Sequence, residues 1–342
     1  MEHRRMLRTS PRWLRGAKQP RAPTARGVTM ATAAVAAQAP APTVQAPAAA
    51  IAAAPAMDFI RLNSDKDKNY LVETQGAEWV GTSQAGGVYR RMCQRLGGEV
   101  ARATTVVRFD PNQSFPPHTH AGGEEFFVLD GHWRDEYGVF PKYTYVRNYI
   151  GSKHQPFVGD DGVRILVRLR QMAHEHKEPE HRNWDGSPGS GGWVAVDAGG
   201  AFAPAAAEPE EVAGIAGPGA EGGGDGKSKR RRCSDGFTTS AARHRILRKD
   251  LYRSPFEEVF ALQLLRDGDT AGGSQPSVLE CFAPPKGLDL FVVDGSMAST
   301  LGTHSAESWA QFVGGERLRF EVQEDVYVLV KQGHLESPEV GV

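Results

Sequence analysis

The sequence predicts an all-β fold made of two jelly-roll barrels. Short stretches rich in Val, Thr, Tyr and Phe alternate with Gly, Pro and Asp turn signals every 8 to 12 residues or so. One half of the chain also resembles the other: Gly287–Gly295 aligns without gaps on Gly123–Gly131, and Val326–Lys331 is similar to Val163–Arg168. Self-similarity at this distance indicates a duplicated domain.

The first 57 residues are predicted to be a disordered leader. Eight Arg and Lys residues against the single acid Glu2 precede Val28, and residues 28–57 carry no charge. Basic leaders that are poor in acids are typical of organellar transit peptides, so we expect import into a chloroplast or mitochondrion. A cytoplasmic protein that starts at Met30 or Met57 is the alternative.

The domain boundaries follow shifts in composition. Residues 58–180 are predicted to form the first barrel, residues 181–243 a disordered linker rich in Gly, Ala and Pro, and residues 244–338 the second barrel. A basic run at Lys227–Arg232 within the linker is interpreted as a solvated charge run.

Composition limits the classes of partner. The chain has 342 residues and a net charge of −1, which argues against a general nucleic-acid binder. Its three cysteines, Cys93, Cys233 and Cys281, form no CxxC pair and indicate neither a disulfide framework nor a thiolate zinc site. Long apolar segments are missing from the sequence, so no membrane span is expected. The expected partner is a small-molecule substrate or ligand, and a homodimer is left open.

Turn signals separate the strands predicted for the first barrel. Asp110-Pro111-Asn112 is a turn signal directly before the histidine-rich segment. The predicted strands are Tyr70–Val72, Glu78–Val80, Gly87–Met92, Ala101–Phe109, Glu124–Asp130, Tyr143–Asn148 and Val163–Leu169.

A candidate metal site lies between these strands. His118 and His120 share one face if their segment is extended. The turn Ala121-Gly122-Gly123 lets the chain reverse so that Glu124 returns beside them, and His154 is the candidate for the third imidazole. Such an N/O ligand set suits iron, manganese, nickel, copper or zinc.

Three motifs carry a resemblance to a known family. HxHxxxE, Phe126-Phe127-Val128-Leu129-Asp130-Gly131 and Gly151-Ser152-Lys153-His154 resemble the two metal motifs of the cupin superfamily. More narrowly, Gly122–Gly131, Arg134–Gly138 and Arg147-Asn148 resemble the cupins named after the C-terminal domain of the ChrR anti-sigma factor. The resemblance covers residues 58–172 well and residues 246–335 more faintly, and it predicts two cupin-type barrels.

This resemblance implies a ligand set and a cofactor. The family's ligands fall on His118, His120, Glu124 and His154, with one divalent metal ion per chain. Fe(II) or zinc is favoured, and manganese, nickel or copper are alternatives. Glu125 is the alternative carboxylate, but adjacent strand residues point to opposite faces, so we interpret it as a solvated or rim carboxylate.

Two classes of function follow from the resemblance. One is an Fe(II)-dependent dioxygenase that acts on a small chelating metabolite such as a β-diketone, thiol or enediol. The other is a non-catalytic zinc-binding sensor like the cupin of the anti-sigma factor. A small-molecule-binding cupin or isomerase is also considered, because a fold does not fix a function. No catalytic residue is assigned. The only candidate bases are Glu125, Tyr145 and His132, and each of them also has a strong interpretation as a structural residue without a catalytic role.

The second barrel is predicted to be a degenerate cupin without metal ligands. In the alignment of the two halves, Phe282 replaces His118, Pro284 replaces His120, Leu288 replaces Glu124, and Arg317 stands near His154. None of these side chains can bind a cation. Phe282 and Leu288 are expected to fill the interior, and this barrel is expected to pack sheet against sheet on the first. An independent surface domain tethered by the linker is the alternative.

Overall fold

The structure is a computed structural model that describes residues 54–172, 193–199, 202–204, 207–208, 231–233, 238–239, 244–266, 277–322 and 324–335. Across these ranges the regular elements are β-strands and no helix occurs, which confirms the predicted all-β class. No helix that could cross a membrane is found in the part of the chain that the structure describes. Most of the predicted leader and linker lies outside the described residues.

The strands are numbered in chain order. Those up to residue 197 are β1 (Ile60–Leu62), β2 (Tyr70–Glu73), β3 (Val80–Gly81), β4 (Val88–Gly97), β5 (Ala101–Phe109), β6 (His118–Thr119), β7 (Glu124–Asp135), β8 (Gly138–Pro141), β9 (Thr144–Asn148), β10 (Lys153–His154), β11 (Val163–Leu169) and β12 (Trp193–Asp197). The remaining strands are β13 (Ala203–Pro204), β14 (Ala207–Glu208), β15 (Arg231–Cys233), β16 (Thr238–Thr239), β17 (His244–Arg253), β18 (Glu258–Arg266), β19 (Ser277–Phe282), β20 (Leu288–Asp294), β21 (Met297–Ser299), β22 (Gly302–His304), β23 (Ser308–Phe312), β24 (Arg317–Val322) and β25 (Val326–Gln332).

The first barrel has a large sheet and a short one. In the large sheet the strand order is β1-β4-β5-β11-β7-β9-β12, with β3 on β4 and β8 on β7, and the short sheet pairs β6 with β10. Because alternate residues share a face, every second residue of β5, β7 and β11 points into the barrel. The buried apolar residues of this interior include Phe109, Phe126, Val128, Trp133, Ile165 and Val167.

The second barrel has two seven-stranded sheets. Its inner sheet runs β13-β17-β18-β25-β20-β23-β2, and its outer sheet runs β14-β15-β16-β19-β24-β21-β22. Buried apolar side chains from both sheets fill the space between them, among them Leu262, Leu264, Leu290, Phe312, Phe320 and Val328. The cavity among these side chains has a volume of about 10 Å³, which is far too small for an organic ligand.

Six strands differ from the predicted domain boundaries, since β2 joins the second barrel and β12 to β16 lie within the predicted linker. Strands β13 to β16 belong to the two sheets of the second barrel. Strand β2 lies within the predicted first barrel, but Tyr70–Glu73 pairs with Ser308–Phe312 at the edge of the inner sheet of the second barrel. Strand β12 lies within the predicted linker, yet it pairs with β9 of the first barrel. Both strands cover a sheet edge that would otherwise expose unpaired backbone groups, which physically favours this arrangement.

The two barrels pack sheet against sheet, as predicted from the sequence. The outward face of the large sheet contacts the inner sheet through polar and charged side chains. Arg168 lies 2.8 Å from Asp289, Lys331 lies 2.6 Å from Glu125, and Gln94 donates a hydrogen bond to Gln311 at 3.0 Å. The contact between the barrels therefore contains paired charges buried away from water.

Candidate metal centre

Strand pairing brings the predicted ligands together. His118 on β6 is the cross-strand partner of His154 on β10. His120 follows β6, and its backbone N–H donates to the Ser152 carbonyl at 2.9 Å. The chain then turns through Gly123, which has a φ of 75° and no room for a Cβ because Sδ of Met172 would lie 2.3 Å from it. Glycine at this turn therefore allows Glu124, the first residue of β7, to return beside the histidines.

The ligand atoms of these four residues converge. One nitrogen of each imidazole and one oxygen of Glu124 all lie within 4.8 Å of one another. Nε2 of His154 lies 3.3 Å from Nε2 of His118, and Oε1 of Glu124 lies 3.6 Å from Nε2 of His120. His120, Glu124 and His154 are buried and His118 is half-buried.

The opposite nitrogen of each imidazole has a hydrogen-bond partner. Nδ1 of His118 lies 2.9 Å from the Pro116 carbonyl, Nδ1 of His120 lies 2.9 Å from Oγ of Ser152, and Nδ1 of His154 lies 3.2 Å from Oδ2 of Asp135. A carbonyl and a carboxylate only accept, so His118 and His154 donate Nδ1–H to them. Their Nε2 lone pairs then face the centre, which is the tautomer that a metal ligand needs.

A second layer of contacts orients these groups. The side-chain amide of Asn148 donates to Glu124 at 3.1 Å. Asp135 accepts from the indole N–H of Trp133 at 3.0 Å and from the backbone N–H of Tyr137 at 2.9 Å. Sequence reasoning assigned no role to Asp135, Asn148 or Ser152, although all three lie in the segments that carry the family resemblance.

Burial and neighbouring charged groups shift the pKa values of the four candidate ligands. Burial lowers the pKa of His120 to about 3, and it lowers the pKa of His118. Burial also opposes ionisation of Glu124, but the three imidazoles and Asn148 outweigh it and lower the pKa of that carboxyl. For His154 burial is outweighed by the hydrogen bond to Asp135 and the charge of Glu124, so its pKa is raised. Nε2 of His120 is buried and has no hydrogen-bond partner among the described residues, which fits an atom that could bind a metal ion.

The candidate bases lie elsewhere. The prediction that Glu125 is a solvated or rim carboxylate is wrong: it is 1% exposed and lies on the opposite face of β7 from Glu124. It pairs with Lys331 and Arg147 and accepts a hydrogen bond from Tyr145 at 2.7 Å. Tyr145 therefore also faces the second barrel. His132 is exposed, as predicted, and lies 3.6 Å from Asp161.

The second barrel retains the geometry of the site without its ligands. Phe282 on β19 is the cross-strand partner of Arg317 on β24, which is the same relationship as that of His118 and His154. Leu288 is buried as predicted, but the prediction that Phe282 fills the interior is wrong because it is 58% exposed. Leu and Phe side chains from other strands already occupy that space. Within the described ranges, the only group of potential metal ligands is the one in the first barrel.

A cavity of about 280 Å³ adjoins the four residues in the first barrel. His118, His120 and Glu124 form part of its wall. Most of the remaining wall is apolar and includes Val88, Val107, Phe109, Phe115, Ile165 and Val167. A small organic molecule therefore has access to the candidate metal centre.

One family model matches a segment that includes most of the first barrel. Residues 67–173 match the family model described as the ChrR Cupin-like domain, which confirms the resemblance predicted from the sequence. No curated protein matches the chain in a sequence search.

Solved structures are similar to the chain at low identity. Protein YlbA from E. coli is 10% identical with a TM-score of 0.49, over 82% of this chain and 96% of that one. Quercetin 2,3-dioxygenase from Acinetobacter baumannii is 11% identical with a TM-score of 0.41, over 79% and 80%. A variant of oxalate decarboxylase from Bacillus subtilis is 11% identical with a TM-score of 0.43, over 82% of each chain.

Proposed function

We propose that the first barrel, a ChrR-like cupin domain, binds one divalent transition-metal ion through Nε2 of its three histidines and the carboxylate of Glu124. The observation that carries this proposal is the set of Nδ1 contacts. Pro116, Ser152 and Asp135 each contact the distal nitrogen of one imidazole, and the three Nε2 atoms converge with the carboxylate of Glu124. The donor set also fits, because three neutral imidazoles and a carboxylate suit a first-row transition metal.

We further propose that the metal is Fe(II) and that the domain is a dioxygenase for a small chelating metabolite. Four protein ligands leave two positions of an octahedral ion for small molecules. The ion would supply redox chemistry and polarise the oxygen atoms of the bound substrate.

The protein residues bind and orient the substrate. The apolar wall of the cavity, with Val107, Ile165 and Val167, excludes water and packs against the body of the ligand. Asn148 holds the carboxylate of Glu124 in place, and Asp135 fixes the tautomer of His154. None of the three candidate bases lines this cavity, so the proposal includes no protein base.

The cavity favours this function over that of a structural zinc site. Structural zinc sites are closed by four protein ligands in a tetrahedron, whereas catalytic sites keep a position open toward the substrate. Here the candidate ligands His118, His120 and Glu124 are part of a cavity wall large enough for a small metabolite.

Oxygen uptake tests the proposal. The full chain would be loaded with Fe(II) and screened in an oxygen electrode against β-diketones, thiols and catechols. We expect uptake with one chelating class, and we expect His120→Ala to abolish both iron binding and uptake. His132→Ala, which changes an exposed histidine, is the matched control and should retain both. Uptake that persists after complete removal of the metal would contradict the proposal.

A further inference from the structure

The cavity beside the candidate metal centre contains buried positive charge. Arg90 and Arg95 on β4 line it and are 7% and 2% exposed. Arg170 lines it too, and the only carboxylates in its wall are Glu99 and Glu124. Three guanidinium groups and two carboxylates therefore share the cavity even before a divalent cation is bound.

These arginines are incompletely paired. Glu99 lies 3.2 Å from Arg90 and pairs with it. Arg95 instead donates to the backbone carbonyls of Gly98 and Glu99, and no described carboxylate forms an ion pair with it. The buried Nε atoms of Arg90 and Arg95 have no hydrogen-bond partner among the described residues. Buried charges are usually paired, so an unpaired guanidinium at a cavity wall indicates an anionic ligand.

Strand register places Arg95 in the same row of the large sheet as Glu124. Arg95 is the partner of Ala103, Ala103 of Leu169, and Leu169 of Glu124. Arg95 and Glu124 therefore lie in one row across the large sheet, and both point into the barrel. Three strand spacings separate them, roughly 14 Å along the sheet before its curvature and the lengths of the two side chains are considered.

We propose that the ligand of this cavity is a small organic anion with two polar ends. This inference rests on the proposed metal site and specifies its substrate class. One end chelates the metal, and a carboxylate at the other end is bound by Arg95, whose planar guanidinium can donate two parallel hydrogen bonds to it. The body between the two ends is apolar, because Leu169 in the same row and Val167 beside it on β11 belong to the cavity wall.

A matched pair of probes tests this substrate class. The full chain would be loaded with Zn²⁺, which undergoes no redox chemistry, and titrated calorimetrically with 3,4-dihydroxybenzoate and 3,4-dihydroxybenzamide. Both probes carry a catechol that chelates the metal, and only the first carries an anionic tail. We expect the wild-type chain to bind the acid about tenfold more tightly than the amide, because charge-assisted hydrogen bonds are the stronger kind.

The two probes differ in the acidity of the catechol as well as in the charge of the tail. Variants of Arg95 are therefore needed to isolate the effect of its guanidinium group. In Arg95→Gln the preference for the acid should be lost, and in Arg95→Lys part of it should remain. Arg319→Gln is the control, because Arg319 is exposed in the second barrel and lies outside the cavity. Metal analysis and thermal unfolding of each variant confirm that it is loaded and folded.

The outcomes are distinguishable. An acid preference that is the same in Arg95→Gln as in the wild type, or a zinc-loaded chain that binds neither probe, would overturn the inference and leave the metal site standing. A folded chain that holds no zinc would instead contradict the proposed function.

Discussion

Nδ1 of His154 lies 3.2 Å from Oδ2 of Asp135, and both side chains are buried. This contact joins the β7–β8 hairpin to the short sheet that carries His118 and His154. The carboxylate can only accept a hydrogen bond, so it keeps the proton of the neutral imidazole on Nδ1 and leaves Nε2 as the ligand atom.

Asp135→Asn is expected to weaken metal binding about 10- to 100-fold, because an amide can donate to Nδ1 and favour the other tautomer. Competition with a metallochromic chelator measures the dissociation constant. Asp161→Asn, at an exposed carboxylate near His132, is the matched control and should change nothing. Equal affinities for the two variants would refute the role given to Asp135.

The buried charge cluster between the barrels makes a second prediction. Lys331 lies 2.6 Å from Glu125 and 2.9 Å from Glu257, and it is 0% exposed. Lys331→Met leaves these two carboxylates near each other with less compensating charge, so it should lower the free energy of unfolding by about 3–5 kcal/mol. The same substitution at the exposed Lys68, which pairs with Asp65, should have a much smaller effect, because water screens an exposed ion pair. Denaturant melts of both variants measure this, and similar losses would contradict it.

The effect of Lys331→Met should depend on pH. Burial opposes ionisation of Glu125, but Lys331, Arg147 and Arg168 outweigh it and lower its pKa to about 2. A carboxyl whose folded pKa is depressed stabilises the fold above its unfolded pKa, near 4.3, and loses that contribution as the pH falls toward 2. The difference in unfolding free energy between wild type and Lys331→Met should therefore be largest at neutral pH and shrink below about pH 4. A difference that stays constant from pH 7 to pH 3 would show that Glu125 is not stabilised as an ion.

Local sequence rules were sufficient to bring most of the candidate ligands together. His118 and His120 are two residues apart on an extended segment, and the glycine turn returns Glu124 beside them, so short-range geometry places three of the four groups. The role of Asp135 could not be predicted in this way, because its contact with His154 depends on the packing of two separate hairpins.

Packing between distant segments also explains which predictions were wrong. Two neighbouring glutamates point to opposite faces, and the sequence predicts that only one enters the barrel, but it does not reveal that Glu125 faces a second sheet. Tyr70–Glu73 has strand propensity that fits the edge of any sheet, so its pairing with Ser308–Phe312 is visible only in three dimensions. Phe282 aligns with His118, but it is exposed because apolar side chains from other strands fill the interior of the second barrel.

The leader makes a prediction about location. We propose that residues 1–57, with eight basic residues and one acid before Val28, direct import into a chloroplast or mitochondrion. A fluorescent protein fused to residues 1–57 should enter one of these organelles, and replacing Arg4, Arg5 and Arg8 with Gln should reduce import. Diffuse cytosolic fluorescence of the unmodified fusion would contradict the proposal.

Metal stoichiometry tests the central claim most directly. Elemental analysis of the full chain, purified without a chelating tag and loaded with excess Fe(II) or Zn²⁺, should give about one ion per chain, since a single converging ligand set supplies one site. The double variant His118→Ala, His120→Ala should hold none and remain folded, while His132→Ala should hold the same amount as the wild type. A value near two ions per chain, with one ion retained by the double variant, would show that the second barrel binds metal and that the account is wrong.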